Sequence, residues 1–588
     1  MITYICHNKD EKTGTPLPCA GNHCQTSTCP TCGGRADAKS RIYWCDTCKV
    51  PLYEESCGLC GNKGRQLVTD IRPVFPEERL LVELVLGKPF AFLEKSVWNG
   101  SGNHYYVDGE KIAFSVKELK QTDTEGLRKE YEKQKEKNAY EYFDEMAARF
   151  VRANRRRFEH MTEEAKSYIR SASEGFGTMD MFVSFSGGKD STVTADLVTR
   201  ALSSPQIMHI FGDTTLEFPF TYAYVERFKM AHPKTPMISA KNKEKDFEEL
   251  CRLIGPPSRV MRWCCTIFKT GTIQKRIKSL YREKNRILTF YGIRRSESLS
   301  RSKYERESDS PKITKQRIVS PIIDWMDFDI WLYLLTTGID FNDAYRLGYA
   351  RVGCWCCPNN SGWSEFLSKI HMHEQAAHFR QLLIDFARSI GKEDAEVYVD
   401  DGYWKARQGG NGVAYARKSL VSFAPCATEE NAFHYELQRP VSGDLYELFR
   451  PFGYLNFDMG NARLGEVFVL NKKGEILLKL QGRIGSKHLK VTIIGIGIAG
   501  AGDLKTAEER VKCQITKYQM CMGCLACESV CRFNALSVRE GRDGGIEYRI
   551  SEEKCMRCGE CVAHFTAGCY MRKVLTIKRN GENHGREE

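Results

Sequence analysis

The sequence predicts a multidomain α/β protein whose middle is a doubly wound parallel sheet, flanked by small modules organised around cysteine ligands. Three observations predict it. From Met179 to about residue 400, short apolar runs alternate with longer helical stretches, the pattern of repeated strand-helix-strand units. Nine cysteines lie in residues 6–60 and eight from Cys521 to Cys569, most of them in C-x-x-C pairs, which reads as metal ligation in a reducing compartment and not as a disulfide framework. Finally, 588 residues with 42% hydrophobic content amount to about four domains at roughly 150 residues each, enough for several buried cores.

Charge and hydropathy narrow the setting. Lys and Arg (87) exceed Asp and Glu (75), a formal +12 that suits an anionic partner such as a nucleotide or a nucleic acid. The first ten residues lack an apolar run, and the longest apolar stretch, 491–502, is short and Gly-rich, so a cytoplasmic protein with no membrane partner is expected.

Taken in order, residues 1–65 carry Cys29-x2-Cys32-x12-Cys45-x2-Cys48-x8-Cys57-x2-Cys60, the knuckle spacing of zinc ribbons, with thiolates suited to Zn2+ in a closed structural site. Cys45, Cys48, Cys57 and Cys60 make one compact set; Cys29 and Cys32 need partners from Cys6, Cys19, Cys24, His7 or His23. The ribbons are expected to stand in for a missing core. Residues 66–120 read as a small β-rich domain with one helix after Pro76, and 121–175 as one or two helices. The parallel-sheet domain occupies 176–400, a β-rich connecting domain 401–505, and a second cysteine-rich domain 506–588.

Within the central domain, MFVSFSGGKDST is an apolar strand, a turn and a helix start. Gly187 and Gly188 let the backbone turn so that its N–H groups face an anion, the following helix presents its positive end, and Lys189 adds a mobile charge; Ser186, Asp190 and Ser191 complete the loop. A phosphate or pyrophosphate fits there, and the spacing is not that of Gly-x-x-x-x-Gly-Lys loops. SGGKDS at a strand end resembles the PP-loop of ATP pyrophosphatases and, more closely, the phosphoadenosine phosphosulfate (PAPS) reductase family. Further segments in order carry the resemblance over about residues 176–365: IMHIFGDTTLEFPFTY with Asp213 and Glu217, RWCCTIFK, YGIRRSESLSR, SPIIDWMDFDIW and GYARVGCWCCP.

The resemblance implies an adenine nucleotide hydrolase-like fold binding ATP or a sulfonucleotide at the carboxyl edge of the sheet. Lys189, Asp213 and Arg294 are then candidate catalytic groups. Arg295 and Arg301 are candidate sulfate or phosphate ligands, and Asp213 is a candidate holder of Mg2+. The sequence departs from sulfonucleotide reductases in lacking their Glu-Cys-Gly-Ile-His-type motif; the intact SGGKDS looks like members that cleave ATP to AMP and pyrophosphate and replace an activated oxygen by sulfur. Cys426 is a substitute nucleophile or, as lone cysteines usually are, a small buried hydrophobe.

Two more cysteine sets have distinct spacing. Cys521-x2-Cys524-x2-Cys527-x3-Cys531, then Cys555-x2-Cys558-x2-Cys561 and Cys569, resemble a two-cluster bacterial ferredoxin, although Arg532 replaces the usual Pro and Cys569 is displaced. That resemblance implies two [4Fe-4S] clusters, one on Cys521, Cys524, Cys527 and Cys569 and one on Cys531, Cys555, Cys558 and Cys561, fed by an external electron donor. Cys264, Cys265, Cys354 and Cys357 match the adjacent-pair plus C-x-x-C arrangement of the adenylyl-sulfate branch, which implies a third [4Fe-4S], with Cys356 as an alternative ligand. Thiolate-bound metals would lower the formal +12 to roughly +4, which weakens basicity as a sign of nucleic acid. Gly495-x-Gly497-x-x-Gly500 reads as an interdomain loop ahead of a short helix, and Arg155-Arg156-Arg157 as a solvated helix face. Three functional readings follow: ATP-driven sulfur transfer, reduction of a sulfonucleotide to sulfite, and a non-catalytic nucleotide-sensing electron-transfer scaffold.

Overall fold

The structure, a computed structural model, describes residues 2–6, 18–19, 23–24, 29–32, 36–40, 42–67, 70–243, 246–259, 261–298, 301–309, 316–406, 421–521, 526–540 and 546–567. Its centre is a six-stranded sheet in the spatial order Met237–Lys241, Met208–Asp213, Met181–Phe185, Ile287–Tyr291, Gln316–Val319, Glu307–Asp309. The first five strands run parallel and the last is an antiparallel edge. Strand order reverses at Met181–Phe185, which lies between its sequence successor and Ile287–Tyr291, so a topological switch point opens at its carboxyl end.

Burial of the inner strands Met181–Phe185, Met208–Asp213 and Ile287–Tyr291 on both faces explains their near-continuous apolar sequences. Phe182, Ile210, Ala240 and Ile287 pack under helix Gly271–Leu280 through Ile277 and Tyr281. Val183, Phe185, Phe211, Leu288 and Phe290 face the opposite layer, where Arg155–Ala172, Lys189–Leu202 and Asp327–Thr337 pack on one another.

The N-terminal ribbon, strands Ile42–Cys45, Val50–Leu52 and Arg65–Leu67, shares this second core instead of replacing a missing one. Its Ile42, Trp44 and Val50 are fully buried in that core, Gly58 N–H donates to Ala153 O (3.2 Å) and Tyr53 N–H to Asn154 Oδ1 (2.9 Å). Arg157 corrects the reading of a solvated Arg face: it forks onto Asp329 (2.8 and 2.9 Å) and lies over the Tyr53 ring. Arg155 keeps to that reading, exposed and paired with Glu159.

The next module is a four-stranded antiparallel sheet, Ile71–Pro73 to Glu110–Lys111, with helix Pro76–Val85. It is bolted to the central domain by buried charge. Arg72 donates two bonds to Glu78 (2.7 Å each), Tyr105 OH a third (2.6 Å), and Arg72 also reaches Gly348 O (3.4 Å). A Cβ on Gly348, whose φ is +100°, would press into Glu78 at 2.9 Å. Residues 121–175 form three helices, Thr124–Gln134, Glu141–Ala153 and Arg155–Ala172, where one or two were expected, because the chain turns at Asn138 and again at Asn154.

Beyond helices Gly362–His371 and His373–Ser389, the chain builds a second six-stranded sheet from Ser422–Pro425 to His488–Ile493, antiparallel throughout. Gly495, Gly497 and Gly500 lie in the loop that follows, and the next helix, Leu504–Met520, is 17 residues long, not short. One apolar core runs from Phe247, Trp263 and Cys356 through Val469 and Leu480 to Val511, Tyr518 and Leu536. Among the described residues no helix is long and apolar enough to cross a membrane.

Truncating Glu78 leaves the Arg72 guanidinium buried without its counterion. Glu78→Ala should cost about 3–5 kcal/mol, seen as a lowered denaturant midpoint by tryptophan fluorescence; an unchanged midpoint would show that the buried pair does not stabilise the module.

Candidate functional site

The phosphate loop sits at the switch point. Gly187 (φ +69°) takes a conformation that L side chains rarely adopt, and a Cβ there would meet Thr221 at 2.8 Å. Gly292, at the end of the neighbouring strand, approaches so closely that a Cβ would lie 2.6 Å from Asp190 O. Ser186 N–H and Oγ both bond Ser191 Oγ (3.2 and 3.1 Å), and Ser191 donates to Gly188 O (2.8 Å), so the two serines fix the shape of the loop.

Four charges close a ring beside it. Lys189 Nζ lies 3.4 Å from Asp190 and 3.3 Å from Asp327; Arg294 Nε lies 2.6 Å from Asp190 and its Nη2 2.7 Å from Asp327. Lys189 and Arg294 are 3% and 4% exposed, so two desolvated cations share two carboxylates. Burial opposes the charge on Lys189 and on Arg294, yet the two carboxylates outweigh it and raise both pKa values. Burial alone would raise Asp327, but Lys189 and Arg294 hold it well below the usual carboxylate range. Asp70, from the preceding module, accepts from the backbone N–H groups of Asp327 and Phe328 (2.9 and 3.1 Å) and so caps that helix; burial, then the Asp327 charge, push its carboxyl up to about 6. Tyr345 OH accepts from Lys189 N–H (3.0 Å), and Lys189 Nζ reaches Ala350 O (3.4 Å).

Asp213, at the end of the adjacent strand, accepts from Thr215 N–H (2.9 Å) and Tyr222 OH (2.8 Å), with Lys241 Nζ 3.8 Å away. Of the arginines, only Arg294 joins the ring. Arg295 pairs with Asp324 and donates to Tyr304 O (2.9 Å), and Arg301 pairs with Glu297, on the loop beyond the strand. Asp327, Asp70 and Tyr345 were not singled out in the sequence. Asp327 lies inside the SPIIDWMDFDIW segment, whereas Asp70 and Tyr345 have no local signal. Cys426 stands apart, in the turn after Ser422–Pro425; it is half-buried, and hydrogen bonds, first that of the Thr428 hydroxyl, lower its thiol to about 6.

The central cysteines meet beside the loop. Cys265 opens a π-helical stretch, Cys265–Thr270, that runs into helix Gly271–Leu280, and Cys264 immediately precedes it. Cys354 Sγ lies 3.4 Å from Thr214 Oγ1, which donates to Glu217 (2.7 Å), and Trp355 N–H bonds Leu216 O (3.0 Å). Cys264 lies close enough to Cys265, Cys354 and Cys356 to feel their charge, and Cys357 to feel Cys265. A hydrogen bond from Cys264, aided by Arg262 and Lys269, lowers Cys265 to about 6, while burial and then Glu217 push Cys354 up to about 12. Among the described residues these sulfurs do not crowd within 4.8 Å as a single zinc would require; the wider set fits an iron-sulfur group, which holds its thiolates farther apart.

Zinc geometry is met at the N-terminus. Tetrahedral Zn–S bonds of about 2.3 Å place sulfurs about 3.8 Å apart; Cys45 and Cys60 Sγ are 3.5 Å apart and Cys48 and Cys57 3.8 Å. Burial pushes the Cys48 thiol up, whereas a backbone N–H at Asn62 lowers Cys60 to about 7. Cys19, Cys29 and Cys32 form a second set within 4.8 Å, which selects Cys19 as the partner of that pair; Cys6 and Cys24 lie on strands Ile2–Cys6 and His23–Cys24, whose side chains are outside the description, and His7 is not described. Toward the C-terminus, Cys531, Cys555, Cys558 and Cys561 line one small apolar pocket, a four-thiolate donor set that fits a cluster. Cys521 and Cys527 flank Lys517, whereas Cys524 and Cys569 lie outside the described residues.

Lys517, 2% exposed, faces Cys527, Cys561 and Cys521 and lies 5.1 Å from the Tyr548 ring centroid. A unit charge roughly 6 Å from a cluster, at an effective dielectric of about 20, contributes roughly 3 kcal/mol. Lys517→Met should therefore shift cluster reduction to more negative potential, and Lys517→Arg should restore it, in an EPR-monitored redox titration; equal potentials in all three proteins would contradict this. Cys57→Ser should remove about one zinc per chain by metal analysis, and Cys29→Ser a different one; retention of full zinc by either variant would rule out its assigned site.

Residues 180–360 match the phosphoadenosine phosphosulfate reductase domain and 520–564 a 4Fe-4S dicluster domain. Two uncharacterised proteins of Methanocaldococcus jannaschii are 28% and 34% identical, over 44% and 39% of this chain and 60% and 46% of their own length, so the chain spans about half of each. An adenosine 5'-phosphosulfate reductase of Oceanobacillus iheyensis is 28% identical over 33% of this chain and 78% of that protein. The solved PAPS reductase of Candida auris aligns over 34% of this chain and 95% of its own at 18% identity and a TM-score of 0.27. The chain thus carries a PAPS reductase domain, followed by a C-terminal 4Fe-4S dicluster domain.

Proposed function

We propose that the protein binds ATP at Ser186–Ser191, cleaves it to AMP and pyrophosphate, and uses the activation to replace an oxygen of an acceptor by sulfur, with the dicluster domain supplying electrons. The ring of Lys189, Arg294, Asp190 and Asp327 is the observation that carries this reading. Two buried cations at one loop suit a pyrophosphate leaving group, whose charge can take over from the carboxylates at no reorganisation cost to the backbone. Asp213, fixed by Thr215 and Tyr222, suits Mg2+ bound jointly to carboxylate and phosphate oxygens.

In the first step the acceptor oxygen attacks the α-phosphorus, the α–β bridging bond breaks, and pyrophosphate leaves with the bridging oxygen. In the second, a sulfur nucleophile such as hydrosulfide attacks the activated carbon, and AMP leaves carrying the acceptor's former oxygen. Two electrons reduce a persulfide donor to that hydrosulfide, which gives the reducing domain a place in the cycle.

A second reading, reduction of adenylyl sulfate or PAPS to sulfite, is favoured by the convergence of Cys264, Cys265, Cys354 and Cys357 and by the activity named for the Oceanobacillus relative. Anaerobic, cluster-loaded protein should exchange labelled pyrophosphate into ATP, and Lys189→Ala should reduce the rate at least about 100-fold. Sulfite from a sulfonucleotide with no exchange from ATP would sink the first reading in favour of the second.

A further inference from the structure

Behind the cysteine loop lies a cavity of about 740 Å3, within the size range of small-molecule sites, which none of the phosphate-loop residues lines. Its walls come from segments far apart in sequence: the start of helix Thr124–Gln134, the loop at Cys356 and Cys357, and helices Gly362–His371 and His373–Ser389. The interior is apolar and largely aromatic. Cys356, Phe366, Phe379, Leu383 and Trp404 are all buried there, with Trp355 beside them and set edge-on to Phe379.

Its charge is unbalanced in one direction. Every lining carboxylate already has a cation: Glu125 pairs with Lys129 (2.7 Å), Asp400 with Arg380 (2.6 Å), Asp401 with Lys120 (3.0 Å), and Glu365 with Lys405. Lys117, Arg128 and Lys369 also line the cavity and have no ion-pair partner among the described residues. An apolar aromatic interior whose wall carries six Lys and Arg side chains against four carboxylates, with Arg128 near Glu125 and Lys369 near Asp400, selects a ligand by two features at once, ring surface and negative charge.

We infer that this cavity is a second ligand site, for a small aromatic or apolar molecule bearing an acidic group. The loop 348–357 separates it from the nucleotide: Ala350 O touches Lys189 Nζ on one side, and Cys356 and Cys357 form cavity wall on the other. A ligand there lies against the central cysteines, where an acceptor for the reaction proposed above has to be. That role rests on the proposed function; the site itself rests only on its lining.

The experiment uses the anaerobic, cluster-loaded full chain without nucleotide, titrated with 8-anilinonaphthalene-1-sulfonate and with the uncharged N-phenyl-1-naphthylamine. The sulfonate should bind at one saturable site with energy transfer from tryptophan. Arg128→Gln with Lys369→Gln should weaken it at least tenfold and leave the uncharged amine unchanged. Ala377→Trp, from an exposed position on the wall, should block both, with circular dichroism and cluster absorbance reporting an intact fold. Sulfonate affinity unchanged in the double variant, or probe binding that survives Ala377→Trp, overturns the site. Loss of pyrophosphate exchange is a separate result and does not bear on it.

Discussion

The closed ring of Lys189, Asp190, Arg294 and Asp327 is the constraint on which the rest of the central domain depends. Its members come from three segments: the glycine loop supplies Lys189 and Asp190, the exit of strand Ile287–Tyr291 supplies Arg294, and the first turn of helix Asp327–Thr337 supplies Asp327. Buried ions are tolerated only when all are paired, so the ring fixes the relative positions of these segments or leaves a stranded charge. Asp70 extends the constraint to the N-terminal module by capping the same helix, at the expense of holding a second carboxyl near Asp327.

Metal ligation and packing cooperate elsewhere in a way that composition does not reveal. Ribbon spacing is usually a sign that ligands replace a core, yet Trp44 and Val50 are buried against the helices that support the catalytic sheet. Loss of a metal held by Cys45, Cys48, Cys57 and Cys60 would therefore loosen a wall of the central domain as well as the module itself.

Sequence made the chemistry of the loops legible and left their partners hidden. SGGKDS, the cysteine spacings and the alternating strands predicted the phosphate loop, the thiolate sets and a parallel sheet, because each is a local pattern with a local cause. Tyr345 is ordinary in its own window and matters only because the chain returns to Lys189 after more than a hundred residues, and Asp70 only because it meets the first turn of helix Asp327–Thr337. The arginines illustrate the same limit: Arg294, Arg295 and Arg301 look equivalent in YGIRRSESLSR, but only Arg294 is buried among the charges of the ring, while Arg295 pairs with exposed Asp324 and Arg301 with the largely buried Glu297. Arg157 was misread for the opposite reason. Successive residues of a helix point about 100° apart, so the three arginines share no face, and Arg157 turns onto buried Asp329 while Arg155 stays exposed.

The relation between the reducing domain and the central cysteines follows from one helix. Gly271–Leu280 continues the π-helical stretch that begins at Cys265, and near its other end Lys278 Nζ donates to Cys531 O (2.9 Å) and Glu528 O (3.4 Å). Lys275 approaches the Glu528 carboxylate at 3.9 Å. A helix is stiff over this length, about 1.5 Å per residue, so the helix and its lysine contacts set the spacing between Cys265 and the Cys531 segment. The continuous core from Trp263 to Leu536 removes the freedom that two domains joined by a linker would have. The two thiolate sets are thus held at constant separation, and Cys558 is exposed in the pocket that Cys531 helps to line.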